Sequence, residues 1–332
     1  MKSFLPRLAI VWVAFLTFRS SAATLHVDLN STNSVPPYAD WSTAATNIQD
    51  AVDAASDSDE VLVTNGVYQT GGRPYSLPNF GPILTNRVLV TNIITLKSVN
   101  GPAVTFIVGN QVSGTINDNG AVRCVYLGEG ATLSGFTITN GATGPGGSDG
   151  IWESWGGGLN CPASDVVVSN CIIINNSAGD SGGGAQGGTF YNCRFIGNQS
   201  GYGGGLAVGT ANNCVFELNS GYAGGGADFS TLNNCTLTAN SASYGGGADS
   251  STLNNCIVFY NFAGNNPNNY SSCTFNSSCT TPLPDSGTNN IAADPQLADY
   301  YHISSVSPCV AAGSSGFTNR EVSFAKRNMD NV

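Results

Sequence analysis

The chain is short of charge. Only 10% of its 332 residues are Asp, Glu, Lys or Arg, where a soluble domain averages about a quarter. Cations are scarcest of all: between Arg123 and Arg320 the sole Lys or Arg is Arg194. A chain so poor in positive charge offers no footprint for nucleic acid phosphates or anionic lipid. Histidine is as rare, with only His26 and His302, and no CxxC or Cys/His cluster occurs. A cysteine- or histidine-ligated metal centre therefore has no ligand set. Long apolar runs are absent after the first residues, so no later segment is expected to span a membrane. What the chain does have is Gly, 42 residues of it, together with 41% hydrophobic residues and ten Cys. That is enough apolar material for a core and enough Gly for many tight corners.

The first 23 residues read as an export signal. Lys2 and Arg7 open it, Leu8 to Phe18 is apolar but too short to span a bilayer, and Ser20 to Ala23 offers small residues for cleavage. Removing 1–23 leaves eight basic residues against 21 acidic ones, a net charge of −13. Such a surface repels acidic polymers unless metal ions intervene. The mature chain is expected to be secreted or held at the cell surface, as a monomer.

A block of 21 residues recurs four times, from Thr189, Thr210, Thr231 and Thr252. The first three copies read TFYNCRFIGNQSGYGGGLAVG, TANNCVFELNSGYAGGGADFS and TLNNCTLTANSASYGGGADSS, and a looser copy starts at Asp165. A fixed period of this kind means a solenoid. Each copy places Cys (171, 193, 214, 235, 256) two residues before an apolar residue, most often Phe, Ile or Leu, as on the inward face of a strand. Five residues after each Cys stands Asn176, Asn198, Asn219, Asn240 or Asn261. These are expected to tolerate left-handed corners and to stack amide on amide. Gly triplets at 182–184, 203–205, 224–226 and 245–247 open the next face. About 21 residues per turn allows three short strands and three corners with rungs ~4.8 Å apart. The predicted fold is all-β: a single-stranded right-handed parallel β-helix with a short N-terminal α-helical cap.

The boundaries follow. Residues 24–60 form the cap region, including a helix over Thr43 to Ala55 whose apolar face is Ile48, Ala51, Val52 and Ala55. The β-helix runs over 61–282, with early strands at Glu60 to Val63, Arg87 to Val99, Val104 to Val108 and Arg123 to Leu127. Ala131 to Asn140 aligns with the repeat if Gly135 takes the Cys position and Asn140 the later Asn position. Gly141 to Gly158 is a turn-rich insertion with Trp152 and Trp155. A closing segment covers 283–313 and a tail 314–332. The stacked Cys are expected to be small buried hydrophobes, because parallel Cβ atoms one rung apart exceed disulfide reach. Cys273 and Cys279 can pair, and Cys309 can pair with either.

The NCxFxxN and GGGA pattern resembles the right-handed β-helix superfamily typified by pectate lyases. FIGN (Phe195 to Asn198) and FELN (Phe216 to Asn219), each followed by Gly pairs, also resemble the FxxN and GGA repeats of polymorphic outer-membrane adhesins. NNIAADPQLADYYHISSVSPCVAAG (Asn289 to Gly313) resembles the end motif of choice-of-anchor Q proteins, and TNIQDAVDAASDSDEVLVTNGVY (Thr46 to Tyr68) fits their opening. The resemblance implies an exported bacterial β-helix and supplies no catalytic residue. No hydrophobic sorting tail with a basic end follows Gly313, and no C-terminal membrane barrel is expected.

Three candidate sets for chemistry remain. Asp228 and Asp249 hold one repeat position in consecutive copies, about one rung apart, close to a retaining glycosidase pair. They are also the candidates for a weak calcium site; no other cofactor is expected. Glu217 is a further carboxylate. Tyr202, Tyr222 and Tyr244 flank the Gly triplets and, with Trp152 and Trp155, could stack on sugar rings. A β-helix lyase for acidic polymers needs Arg or Lys beside the substrate, which the repeats hardly provide. The expected function is contact with glycans or surface polymers. The alternatives are a structural or adhesive surface protein without a ligand site, and a polysaccharide lyase or glycoside hydrolase. Asp228 and Asp249 as a solvated acidic edge, and the aromatic residues as cover for the solenoid, are the plain readings beside these.

Overall fold

The computed structural model describes residues 22–75, 84–146, 152–264, 269–299 and 302–314. Residues 1–21 of the expected signal, the tail beyond Ser314 and part of the Trp-bearing insertion lie outside the described residues. Within them the chain winds as a parallel β-helix, and its 21-residue period is the length of one turn. Thr210–Asn212, Val215–Glu217 and Ala227–Asp228 lie on three different sheets, and Thr231–Asn233 returns to the first. Among the described residues sheet A has ten strands, from Thr24–Val27 to Thr274–Asn276. Sheet B has nine, from Gly66–Tyr68 to Cys279–Thr280. Sheet C also has nine; Arg73–Tyr75 at one edge runs antiparallel to Leu84–Val90 and the others are parallel. A strip of Ser220–Ala223, Ser241–Tyr244 and Phe262–Ala263 fills the side between sheets B and C. Parallel connections of this kind are right-handed in nearly all proteins.

Register stacks like on like. Thr210, Thr231 and Thr252 are neighbours, as are Phe195, Phe216, Leu237 and Val258. The inward column of sheet B is fully buried, and the rings of Phe195 and Phe216 stack with centroids 4.6 Å apart and planes 5° apart. In sheet A large and small residues alternate where they must, with Phe190 above Ala211 and Leu232 below. Most buried side chains thus face an identical or similar residue one turn away, so one packing solution recurs along the stack.

The corners divide two duties that the sequence reading joined in one Asn. The left-handed residues are those just before each Cys, Asn170, Asn192, Asn213, Asn234 and Asn255, with φ between 53° and 58°. The Asn after each strand of sheet B has no such angle; its predecessor does, at Asn175, Gly197, Leu218, Ala239 and Tyr260. Asn198, Asn219 and Asn240 form a buried ladder instead. The backbone N–H and Nδ2 of Asn219 both donate to Oδ1 of Asn240, at 3.0 and 2.9 Å, and Nδ2 also reaches the carbonyl of Phe195 at 2.9 Å. The same distinction corrects the alignment of the early copy. Gly135, with φ +83°, pairs in register with Asn170, and Phe136 takes the Cys position. Asn140 matches Asn175, and Gly141 donates its N–H to Asn176 Oδ1 as the ladder residues do. The expected register was one residue off because Asn was matched to Asn, while the corner selects for positive φ, which Gly and Asn share. The Gly triplets answer to crowding: a Cβ on Gly204 would sit 2.3 Å from the carbonyl oxygen of Ser220.

At the N-terminus the helix is shorter than predicted. It covers Ile48–Ala54 with Asn47 as N-cap, while Trp41–Thr43 is a separate 3-10 turn held by Asp40. Ile48, Ala51, Val52 and Ala55 are buried as expected, and the helix packs on the first strands of sheets A and C. Gln49 gives and takes hydrogen bonds with the backbone of Leu89, at 3.1 and 2.7 Å, as a neighbouring strand would. The expected strand from Arg87 to Val99 is two, Leu84–Val90 and Thr95–Ser98, because the chain turns the corner from sheet C to sheet A between them.

All ten cysteines are free thiols. The stacked five are at most 1% exposed, and Cys193 N–H donates to Cys214 Sγ at 3.4 Å. Cys273 and Cys279 are separated despite their spacing: Cys273 continues the Ser230–Ser251 corner column, whereas Cys279 lies on the outside of sheet B.

Candidate functional site

The outer face of sheet C carries the chemistry. Its inward column is Val125, Leu159, Ala185, Leu206, Ala227 and Ala248, all fully buried in the core. The alternate column points outward and runs Tyr126, Asn160, Gln186, Ala207, Asp228, Asp249.

Asp228 and Asp249 are register neighbours, as their 21-residue separation requires. Asp228 is only 3% exposed and its Oδ1 has no hydrogen-bond partner. Burial, the Asp249 charge and a hydrogen bond between the two carboxyls raise its pKa to about 7, while the Phe229 N–H opposes the rise. Two carboxyls this close cannot both ionise cheaply, which keeps the proton on Asp228. Asp249 is half-buried and accepts from Ser250 Oγ at 2.9 Å. Among the described residues no group of three or more His, Cys, Asp or Glu is placed to hold a metal ion. The calcium expectation therefore has two side chains to rest on, and calcium takes six to eight oxygens.

A row of aromatic residues flanks this column. Trp155, Ser181, Tyr202, Ala223 and Tyr244 are register neighbours on the edge leading into sheet C. Ser181 Oγ donates to Gln186 Oε1 at 2.9 Å, so the two columns touch. By the same offset Ala223 lies beside Asp228 and Tyr244 beside Asp249. Tyr202, Tyr222 and Tyr244 are 42–53% exposed and meet edge to face, with centroids 6.3 and 5.4 Å apart. Trp155 shares the edge three rungs from Ala223 and is pinned by its indole N–H to Asp180 Oδ2 at 2.8 Å. Trp152 belongs to the 3-10 turn Trp152–Ser154 just before it.

Glu217 does not join the pair. It is on sheet B, 3% exposed, and forms an ion pair with Arg194. His26 lies on the first strand of sheet A and His302 in the closing segment beside Asp299, both away from Asp228.

The sequence reading missed a recess farther up the same face. It is shallow, open to solvent and lined by Tyr75, Arg123, Tyr126, Glu153 and Asn160 among others. Arg123 is buried there, its guanidinium donating to the carbonyls of Gly156 and Trp155 and to Asn86 Oδ1 at 2.7–2.9 Å. Burial lowers its pKa to about 10, so it stays charged at neutral pH. Glu153 Oε2 and Asn160 Oδ1 are buried without a hydrogen-bond partner. Two unused acceptors beside an aromatic pair, whose rings of Tyr75 and Tyr126 lie 4.7 Å apart, suit a ligand rich in hydroxyl donors. One signal was available: Arg123 has the strand parity of the buried Val125 and Leu127, where a charge is out of place unless it ties something down.

No protein-family model matches the chain, and no curated protein matches it. Solved structures are similar to it at low identity. A pectate lyase is similar at 12% identity, with a TM-score of 0.46, over 82% of this chain and 73% of that one. A pectin methylesterase in complex with a hexasaccharide is similar at 14% identity and a TM-score of 0.40, over 79% and 80%. A pectin methylesterase from carrot is similar at 12% identity and a TM-score of 0.41, over 81% and 84%. The parallel β-helix itself rests on the strand pairing of this chain.

Proposed function

We propose that the protein is an exported, surface-associated β-helix that binds an uncharged polysaccharide along the outer face of sheet C. One observation carries the reading: the exposed row of Tyr202, Tyr222 and Tyr244 runs directly beside the Asp228–Asp249 column. Aromatic faces stack on the apolar faces of pyranose rings, and carboxyls take the hydroxyls at their rims. The recess at Glu153 and Asn160 is ~14 Å away along the same column, three rungs at the usual spacing, and would extend the path. The net charge of −13 after removal of 1–23 disfavours acidic polymers. The signal-like start and the resemblance of Asn289 to Gly313 to choice-of-anchor Q proteins support export.

Calorimetric titration of the mature chain with neutral and acidic oligosaccharides tests this. A neutral glycan is expected to bind, and Tyr222→Ala to weaken it about tenfold, the loss of ~1.4 kcal/mol of stacking. Absence of binding to every neutral glycan tried sinks the reading and leaves a structural or adhesive role.

A hydrolase is the second reading, favoured by one property: Asp228 keeps its proton up to about pH 7, as a general acid must. The hydrogen bond between the two carboxyls weighs on the other side, since a retaining pair stands ~5–5.5 Å apart with the sugar between. Release of reducing ends that disappears in Asp228→Asn would favour catalysis.

A further inference from the structure

The closing segment builds a second, small core on the outside of the solenoid. Ile257, Phe259 and Cys279 on the outer side of sheet B pack against Ile303 and Cys309, with Ile291 and Leu297 at the edge. The sequence arranges this by a change at one position. In the Cys column the residue after Cys256 is Ser278, whose Oγ accepts the Cys256 N–H at 2.9 Å. The next residue, Cys279, is in register with Ile257 and so faces out from sheet B. Residues 288 and 291 then bridge to 276 and 279, which brings the closing segment down over that face.

There Cys279 and Cys309, each 3% exposed, share the small core and line one recess, and their thiols act on each other. The stacked cysteines also hydrogen-bond thiol to thiol, as Cys193 does with Cys171 and Cys214. They are in-register residues on parallel strands, however, with Cβ atoms ~4.8 Å apart, beyond the ~3.5–4.5 Å a disulfide spans. Their sulfurs accept backbone N–H groups as well, as Cys256 does from Cys235 at 3.4 Å. Cys124 donates to the Thr139 carbonyl at 3.1 Å, and Cys273 accepts from Ser251 N–H at 3.4 Å. Cys279 and Cys309 come from segments with no ladder between them, so their Cβ vectors are free of the parallel constraint. A shallow recess open to solvent lies beside the pair, lined by both cysteines and by Ser278, Ile291 and Gly313.

We propose that Cys279 and Cys309 form a disulfide that fastens the closing segment to the outer face of sheet B. One of the two, as thiolate, attacks an incoming disulfide, either a small-molecule one such as oxidised glutathione or one carried by a thiol oxidase, and releases the first thiol. The other then attacks the mixed disulfide and releases the second. The protein loses two thiol protons and two electrons, and the oxidant leaves as two thiols. Occurrence in the cell rests on the export reading, because exported proteins meet an oxidising environment; the chemistry does not.

The test uses the purified, reduced protein and oxidised glutathione, so it is independent of export and of any glycan. After oxidation, free thiols are alkylated in denaturant and peptides are mapped by mass spectrometry. The expected result is one crosslinked peptide joining Cys279 to Cys309, a mass loss of about 2 Da before alkylation, and alkylation at the other eight cysteines. Reductant should lower the melting temperature of the oxidised protein by roughly 5 °C, since the bond closes a loop of about 30 residues. Cys309→Ser should lose both crosslink and reductant sensitivity, and Cys273→Ser should keep both. Ten alkylated cysteines, or a crosslink from Cys273 to either partner, overturns the proposal, and the wild-type map decides even if Cys309→Ser does not fold.

Discussion

Asp228 titrates at about 7 in the folded chain, against an ordinary 3.8. Between those values the folded state binds more protons than the unfolded one, so this residue's contribution is complete below pH 3.8 and is lost as pH rises through 7. Asp228→Asn keeps a hydrogen-bonding group beside Asp249 without the charge. At pH 8 it is expected to be more stable than the parent, by no more than ~4 kcal/mol at 1.36 kcal/mol per pKa unit. At pH 3.5 the advantage should vanish. Urea unfolding at both values checks this; an equal offset at the two would show that Asp228 is not protonated at neutral pH. At this scale the period alone placed Asp228 over Asp249, because a 21-residue separation means one column. Arg123, Glu153 and Asn160 escaped notice because they lie outside the clear copies, so no column of equivalents marked them as exceptions.

The corner and the ladder are elements with different tolerances, although both are made of Asn. Asn192 is at a corner with φ 53°, a conformation Gly adopts as easily, so Asn192→Gly should cost about 1 kcal/mol or less. Asn219 is a fully buried ladder member whose Oδ1 accepts both the backbone N–H and the Nδ2 of Asn198, at 3.0 and 2.9 Å. Asn219→Ala leaves those two donors buried and unpaired, at ~1–3 kcal/mol each. Chemical denaturation of the two variants should therefore separate them by ~2 kcal/mol or more. Similar losses would mean that the ladder amides are replaced by water. Sequence could identify the elements, since Cys, apolar and Asn positions repeat faithfully. It could not assign duties within the corner, because positive φ leaves no residue type of its own: Leu218 and Tyr260 adopt it as well as Asn175.

The whole molecule is a stack whose turns are nearly interchangeable. Deleting Thr231–Ser251 brings Thr252 into the place of Thr231 and Leu253 into that of Leu232. The variant is expected to fold with an unchanged far-ultraviolet spectrum per residue. Deleting one residue fewer should abolish folding, because a one-residue slip turns every inward side chain outward. The full deletion also removes Asp249 and sets Asp228 beside Ser271, the residue that follows in the column. Stability should then lose much of its dependence on pH between 4 and 7. The solenoid as a whole was plain from the period, while the recess and the outer core under Cys309 were not. Both are built where the chain departs from the repeat, so no periodic signal announces them.

Duplication does more in such a stack than lengthen it. A single aspartate acquired in one copy stays an ordinary surface acid; once that copy is doubled, its twin arrives one rung away with no further mutation. The two must then compete for a proton, so a neutral-range titration is inherited from the copying itself. Any outward polar position of this solenoid can be converted in the same step from a lone group into a coupled pair.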